Sequence, residues 1–141
     1  MSEMHAFEAL KSEKIAANER AYGKEARERW GDDAVDAAND RLRSASREVW
    51  DDLEQLGEAI NEQLVLAMAT GDPASEESQE LARMHARWIQ GHWGVGRYTP
   101  EAHRGLAQMY LADDRFRAYY DDFAGEGATE FLVKALESYL S

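Results

Sequence analysis

Apolar residues recur at every third or fourth position through most of this chain, the spacing that places side chains on one face of an α-helix. The longest such stripe lies between Ser46, a good N-cap residue, and the helix-breaking run GDP at residues 71–73. It predicts one helix over residues 46–70, which at about 1.5 Å per residue would span about 37 Å as a central strut. Gly57 lies on this stripe and predicts a close approach of another helix, with approach of a ligand as the alternative.

Capping residues and glycines divide the rest of the chain into further helices. The pair Thr99-Pro100 is typical of a helix start, because threonine caps the free N–H groups and proline needs no partner at the first position. The predicted caps are Asp32 or Asp33, Ser46, Ser75, Thr99, and Asp113 or Asp114. Further helices are expected over residues 24–30 and 129–140, and the helix after Ser75 is expected to fray at Gly91. With glycines mostly at helix ends and two prolines in all, the pattern predicts an all-α protein.

The first twenty residues form a weaker pattern of their own. Apolar residues appear at an approximate helical period in a polar background, and Lys11 interrupts them. We therefore expect two segments, an N-terminal helix over residues 1–20 and the main domain over residues 21–141. Trp30, beside a predicted helix end, is expected to anchor a corner of the core, with a place in a ligand wall as the alternative.

Composition and charge exclude several classes of function. The 141 residues contain no cysteine, which rules out disulfides, thiolate metal sites and thiol nucleophiles. A formal net charge of −12 argues against direct contact with nucleic acid, because phosphate binding needs lysines and arginines. No apolar run is long enough to span a membrane, and the N-terminus has no apolar signal region. We expect a cytoplasmic protein.

The titratable residues form no recognisable catalytic or metal site. His85 and His92 lie two turns apart on one predicted helix, too far to share a zinc ion. Acidic pairs such as Asp51-Asp52 point about 100° apart on a helix and are better explained as solvent-facing residues or caps. Phosphate-binding loops and serine-nucleophile motifs are missing. The sequence predicts no catalytic residues, no metal, no cofactor and no enzymatic activity.

Aromatic and sulfur-containing residues are concentrated towards the C-terminal half. Any one of them is explained by a helical core, but together they suit a site for a large, flat, heteroaromatic ligand, because Trp and Tyr combine an apolar ring with a polar group. The cluster contains Met84, Trp88, Trp93, Tyr98, Met109, Tyr110, Phe116, Tyr119 and Tyr120. The loop WGVGRY at residues 93–98 adds flexible glycines between aromatic rings.

Three segments carry a resemblance to a known family. The run EAHRGLAQMYLADDRFRAYY at residues 101–120 resembles the signature of the TipA-type antibiotic-recognition domain, the C-terminal drug-binding module of some MerR-family multidrug regulators. YGKEARERWGDD at residues 22–33 resembles a second motif of that family, and His85 with Trp88 and Ile89 resembles its histidine-containing helix. The resemblance covers about residue 21 to the C-terminus.

This resemblance implies a single compact, globin-like domain of about six to eight helices with a ligand cleft, and an N-terminal helix that closes over the cleft as a lid. The alternative for residues 1–20 is an ordinary amphipathic leader helix. It implies bulky hydrophobic antibiotics, thiopeptides or similar cyclic peptides, as ligands. Binding is expected to be reversible, since the cysteine that some members use for covalent capture is absent. Together with the aromatic cluster it predicts these ligand-binding residues: His85, Trp88, Ile89, His92, Trp93, Tyr98, His103, Met109 and Tyr110. Which of them contact ligand and which are framework stays open.

The residues leave two uses of such a domain open. It could sequester the drug, or it could be the sensor of a transcriptional regulator through a homodimer or fusion to a DNA-binding domain, with no membrane association. The alternative from another class is a helical protein–protein interaction module without a small-molecule ligand, whose aromatic residues form a flat exposed strip.

Overall fold

Helices account for nearly all of the chain in the computed structural model, which describes residues 3–94 and 96–141. A continuous helical segment comes first: α1 (Glu3–Asn18), a π-helical turn (Glu19–Gly23) and α2 (Lys24–Trp30). There follow α3 (Asp32–Ser44), α4 (Arg47–Thr70), α5 (Glu76–Trp93), α6 (Pro100–Ala112), α7 (Asp114–Ala124) and α8 (Ala128–Leu140). No strand occurs among the described residues. The all-α prediction, with about six to eight helices, is confirmed.

Most predicted caps form the expected hydrogen bonds. The hydroxyl oxygens of Ser46, Ser75 and Thr99 accept from backbone N–H groups in the first turns of α4, α5 and α6 at 3.0–3.2 Å. The prediction that Asp32 or Asp33 caps α3 is wrong, because Gly31 holds that position with φ of 90° and both aspartates lie inside the helix. A glycine takes this φ without a steric penalty, whereas an aspartate would be strained.

Helix α5 also differs from its prediction at the C-terminal end. It continues through Gly91 to Trp93 instead of fraying at the glycine. The reason is tertiary: a Cβ atom at Gly91 would lie 2.5 Å from a methyl carbon of Leu53, so the missing side chain lets α4 and α5 pack together. Gly57 on α4 has the same role towards Trp88, whose indole nitrogen would lie 3.3 Å from an added Cβ. The predicted close approach of a helix at Gly57 is confirmed.

The core lies among α4, α5, α6 and α8. Helix α4 packs along α5, and α8 contacts both α5 and α6. The buried side chains between them are mostly aliphatic, and Leu64, Leu81, Leu132 and Leu136 have no exposed surface. Tyr110 and Tyr120 extend this core towards α7. Among the described helices, none combines the length and apolarity that crossing a membrane requires.

Helix α1 packs on α3 through a buried lysine. Lys11 is 2% exposed, and its ammonium donates to the carbonyl oxygens of Arg43 and Ala45 at 2.6 and 2.9 Å, at the C-terminal end of α3. A cation satisfies the free carbonyls at a helix end and interacts favourably with the helix dipole. In the sequence Lys11 interrupts an apolar stripe; in the structure it belongs to the packed face of α1, beside Phe7 and Ile15.

This arrangement predicts an asymmetry between two lysines on α1. Lys11→Met should lower the free energy of unfolding by about 2 kcal/mol, since two buried carbonyl groups lose a charged donor. Lys14→Met is the matched control, because Lys14 forms an exposed ion pair with Glu54 at 2.8 Å and should change stability by less than about 1 kcal/mol. Urea denaturation of both variants measures the difference. Equal effects would contradict the role assigned to Lys11.

Candidate functional site

A cavity of about 420 Å³ lies between the N-terminal helices and the helices α5, α6 and α7. One wall comes from α1, the π-helical turn, α2 and α3, and includes Ile15, Asn18, Tyr22, Ala26, Trp30, Ala34 and Ala38. The opposite wall includes Trp88, Ile89, His92, Trp93, Leu106, Met109, Tyr110 and Phe116. The volume lies within the range of about 300–1,000 Å³ that is typical of small-molecule sites.

Aromatic rings give the cavity its shape and its apolar character. Trp30 on α2 packs against Trp93 on α5, with ring centroids 5.5 Å apart. Tyr22 stacks on Phe116 of α7 at 5.2 Å, so aromatic pairs join the two walls at two places. Small alanines on α2 and α3 face this region and leave the space open. Such a cavity suits a ligand that presents flat apolar surface.

A network of charges closes the rim near α7. The guanidinium of Arg115 pairs with Asp113 at 2.7 Å and with Glu25 of α2 at 3.4 Å. It also donates to the carbonyl oxygen of Ala21 and lies 4.5 Å from the ring centroid of Tyr22. The Arg115 guanidinium holds the pKa of Asp113 below its ordinary value. Arg115 therefore links α7 to the N-terminal wall of the cavity.

His92 contributes to the cavity as an uncharged ring. Burial, together with the nearby charge of Arg41, lowers the pKa of His92 to about 4. The ring packs edge-on against Trp88 with centroids 4.6 Å apart. At neutral pH this part of the wall therefore adds hydrogen-bonding capacity without charge.

The nine predicted ligand-binding residues separate into two groups. Six of them line the cavity: Trp88, Ile89, His92, Trp93, Met109 and Tyr110. His85, His103 and Tyr98 do not line it and lie behind the wall, where both histidines have no exposed surface. The structure thus brings all nine into one region but places three of them in a second layer, whose role for a ligand would be indirect.

That second layer is a continuous chain of hydrogen bonds. The hydroxyl of Tyr98 lies 2.9 Å from Nδ1 of His103, and Nε2 of His103 lies 2.8 Å from Nδ1 of His85. Nε2 of His85 lies 3.1 Å from the hydroxyl of Tyr110, which is also hydrogen-bonded to Tyr120. The chain joins α5, α6 and α7, and at Tyr110 it reaches the cavity wall. Five polar side chains are thereby satisfied inside the core.

His85 and His103, the two histidines of this hydrogen-bond chain, are neutral. Burial lowers the pKa of His85 to about 3, with a further contribution from His103, and lowers the pKa of His103 to about 4. Each neutral ring has one donor and one acceptor nitrogen, so all the bonds can form in one consistent direction. If both rings were doubly protonated, two N–H groups would face each other between His85 and His103. The hydrogen bond between His85 and His103 therefore requires that at least one of the two rings is neutral.

Several cavity residues were not among the predicted ligand-binding residues. Tyr22, Trp30, Trp50, Phe116 and Arg115 all line the cavity. Tyr22 and Trp30 belong to the second family motif, so the motif itself contained a signal for them. Trp30 lines the cavity while also packing against the core, so its two proposed places are compatible. No sequence pattern predicts that the alanines of α3 line the cavity, because their small side chains contribute only by leaving space unfilled.

The fold and the cavity together define an all-α domain built around a cleft between two layers of helices. The chain belongs to the TipAS antibiotic-recognition domain family, whose profile matches residues 22–139. It is 30% identical over 144 residues to the HTH-type transcriptional regulator SkgA of Caulobacter vibrioides, covering 99% of this chain and 54% of the relative. It is 32% identical over 103 residues to the HTH-type transcriptional activator TipA of Streptomyces coelicolor, covering 71% of this chain and 40% of the relative.

Similarity extends to a solved structure. TipAS of Streptomyces lividans in complex with the thiopeptide antibiotic nosiheptide matches with a TM-score of 0.69 and 27% sequence identity, covering 86% of this chain and 85% of that chain. The all-α fold is therefore that of the TipAS domain. The chain spans about half the length, or less, of these curated relatives, which are named as transcriptional regulators.

Proposed function

We propose that this chain binds bulky, largely apolar antibiotics reversibly in the cavity between its N-terminal helices and α5, α6 and α7. The observation that carries the proposal is the aromatic cavity of about 420 Å³, whose lining includes six residues expected from the family motifs and the aromatic cluster. Membership of the antibiotic-recognition family and similarity to a thiopeptide complex support the same class of ligand. Binding is non-covalent in this proposal, since the chain has no cysteine.

Residues 3–20 act in this proposal as a lid on the cavity, and residues 1–2 of the predicted N-terminal segment lie outside the described residues. Helix α1 contributes Lys14, Ile15 and Asn18 to the lining. Its contacts with α3 at Lys11, and those of the π-helical turn and α2 with Arg115, would hold the lid closed. A ligand that fills the cavity would touch both walls and so favour the closed arrangement.

The biological output is proposed to be drug sensing within a longer regulator, with a DNA-binding domain preceding the binding domain in the native protein. The names of the relatives and the share of their length that the chain spans support this assignment. The alternative output is sequestration of the drug. The affinity of the protein for the drug distinguishes sequestration from sensing. Sequestration needs a nanomolar dissociation constant, about −12 kcal/mol, whereas micromolar binding suits sensing. A homodimer and a cytoplasmic location stay predictions.

We further propose that the domain does not transform its ligand. Its buried histidines are engaged with one another and with tyrosines rather than with a nucleophile, and the relatives are named as regulators. Turnover of bound antibiotic should be absent. The protein–protein alternative is less well supported, because Trp88, Met109 and Tyr110 line a cavity rather than a flat exposed strip.

The test of the proposed function is calorimetric titration with nosiheptide, the ligand of the solved relative. Saturable binding at one equivalent would support the proposal, and the dissociation constant would separate sensing from sequestration. A flat response to nosiheptide and to a panel of other thiopeptides would overturn it and favour a protein partner.

Trp88 provides a mutational prediction for the same assay. Trp88→Ala should weaken nosiheptide binding by about tenfold or more, because a buried aromatic contact is among the strongest in an interface. Arg87→Ala, one position earlier on α5 and exposed outside the cavity, is the matched control and should bind like the unaltered protein. Circular dichroism should show both variants folded. Unchanged affinity of Trp88→Ala would remove Trp88 from the site.

A further inference from the structure

A second cavity adjoins the first and has no role in the site described so far. Its volume is about 350 Å³, and the residues that line it alone are Leu53, Glu54, Gly57, Glu58 and Tyr119. The residues that line both cavities are Lys14, Leu42, Trp50, Trp88 and His92. The two cavities therefore adjoin each other, and the shared lining includes two tryptophan rings.

Size indicates that the first cavity holds only part of a bulky ligand. Sites for drug-sized molecules have volumes of about 300–1,000 Å³, and the first cavity lies near the lower end of that range. A macrocyclic peptide is larger than a typical drug. The second cavity offers almost as much space as the first, directly across the Trp50 and Trp88 rings.

Trp50 and Trp88 form the aromatic part of the shared lining. Trp50 is 5% exposed and packs edge-on against the ring of Phe7 at an angle of 83°, so the core fixes its position. The indole nitrogen of Trp88 lies beside Gly57, where an added Cβ would be 3.3 Å from it. Packing therefore holds both rings where the two cavities adjoin.

We propose that the second cavity is a subsite of the same ligand site and that one ligand spans both cavities, in contact with the rings of Trp50 and Trp88. This inference rests on the proposed function. The ligand class is a large molecule whose apolar rings fill the first cavity and whose polar part occupies the second, which Lys14, Glu54 and Glu58 line. Peptide-derived antibiotics meet these requirements, because their amide groups both donate and accept hydrogen bonds.

The subsite is tested by filling it. Glu58 is exposed and lines the second cavity only, so Glu58→Trp should obstruct that cavity without disturbing the fold. Glu62→Trp is the matched control, one turn further along α4, exposed and outside both linings. Calorimetry with nosiheptide should show about tenfold weaker binding for Glu58→Trp and no change for Glu62→Trp. Equal affinities of these two variants would overturn the subsite alone, whereas no binding by the unaltered protein would overturn the proposed function and the subsite with it.

Discussion

Ala38→Trp should abolish antibiotic binding without unfolding the protein. Ala38 lies on α3 in the cavity wall that faces the aromatic residues of α5 and α6. An indole at this position would occupy a large share of a space of about 420 Å³, so nosiheptide affinity should fall by at least about a hundredfold, or about 2.7 kcal/mol. Because the new ring fills empty space instead of displacing packed atoms, the midpoint of thermal unfolding should stay the same or rise.

A control on the same helix separates this effect from a general consequence of adding tryptophan. Asp33 is exposed on α3 and outside the cavity lining, so Asp33→Trp should retain the original affinity. Calorimetry measures binding and circular dichroism measures folding for both variants. If folded Ala38→Trp bound nosiheptide as tightly as the unaltered protein, the ligand would have to occupy another place on the molecule.

Acid should destabilise the protein well before its carboxylates titrate. The pKa values of His85 and His103 are lowered by burial to about 3 and 4 from an ordinary value of 6.5. Below pH 6.5 the unfolded chain therefore binds protons that the folded chain does not, and stability present above pH 7 is lost as the pH falls towards 4. Each histidine contributes up to about 1.4 kcal/mol per pH unit, so the pair should lose about 4 kcal/mol between pH 8 and pH 5.

Urea denaturation at a series of pH values measures this loss. His92, whose pKa is also lowered to about 4, adds a similar loss of stability. His103→Gln removes one of these three titrating rings while its amide retains a donor and an acceptor. The variant should be less stable at pH 8 but should lose only about two thirds as much stability on acidification. An identical pH dependence for the two proteins would show that His103 is not held neutral in the fold.

Helix positions and most helix ends follow from local sequence. The caps at Ser46, Ser75 and Thr99 act through bonds within three residues, so no distant contact is needed to predict them. Where local signals failed, a distant partner decided. Gly91 remains helical because Leu53 of α4 fills the space beside it, and Lys11 is buried because the carbonyl end of α3 receives its charge.

The site was predictable from the sequence on one side only. Residues of α5 and α6 stood out through aromatic content and family motifs, and six of the nine predicted residues line the cavity. The facing wall consists partly of alanines such as Ala34 and Ala38, whose contribution is the absence of bulk. A small residue on an amphipathic helix has the same appearance in a packed core and in a cavity wall. Only the separation of the two helix layers distinguishes these cases.

The amino-acid sequence by itself determined an all-α chain, most of its helix caps, its family and the exclusion of cysteine chemistry, because each depends on residue identity and short-range spacing. The tertiary structure alone decided that Tyr98, His103, His85 and Tyr110 form one chain of hydrogen bonds. It also decided that Trp50 and Trp88 line two adjoining cavities. Hydrogen-bond partners and empty volume depend on how closely helices that are far apart in the sequence approach one another. The periodicity of residues within one helix does not specify that distance.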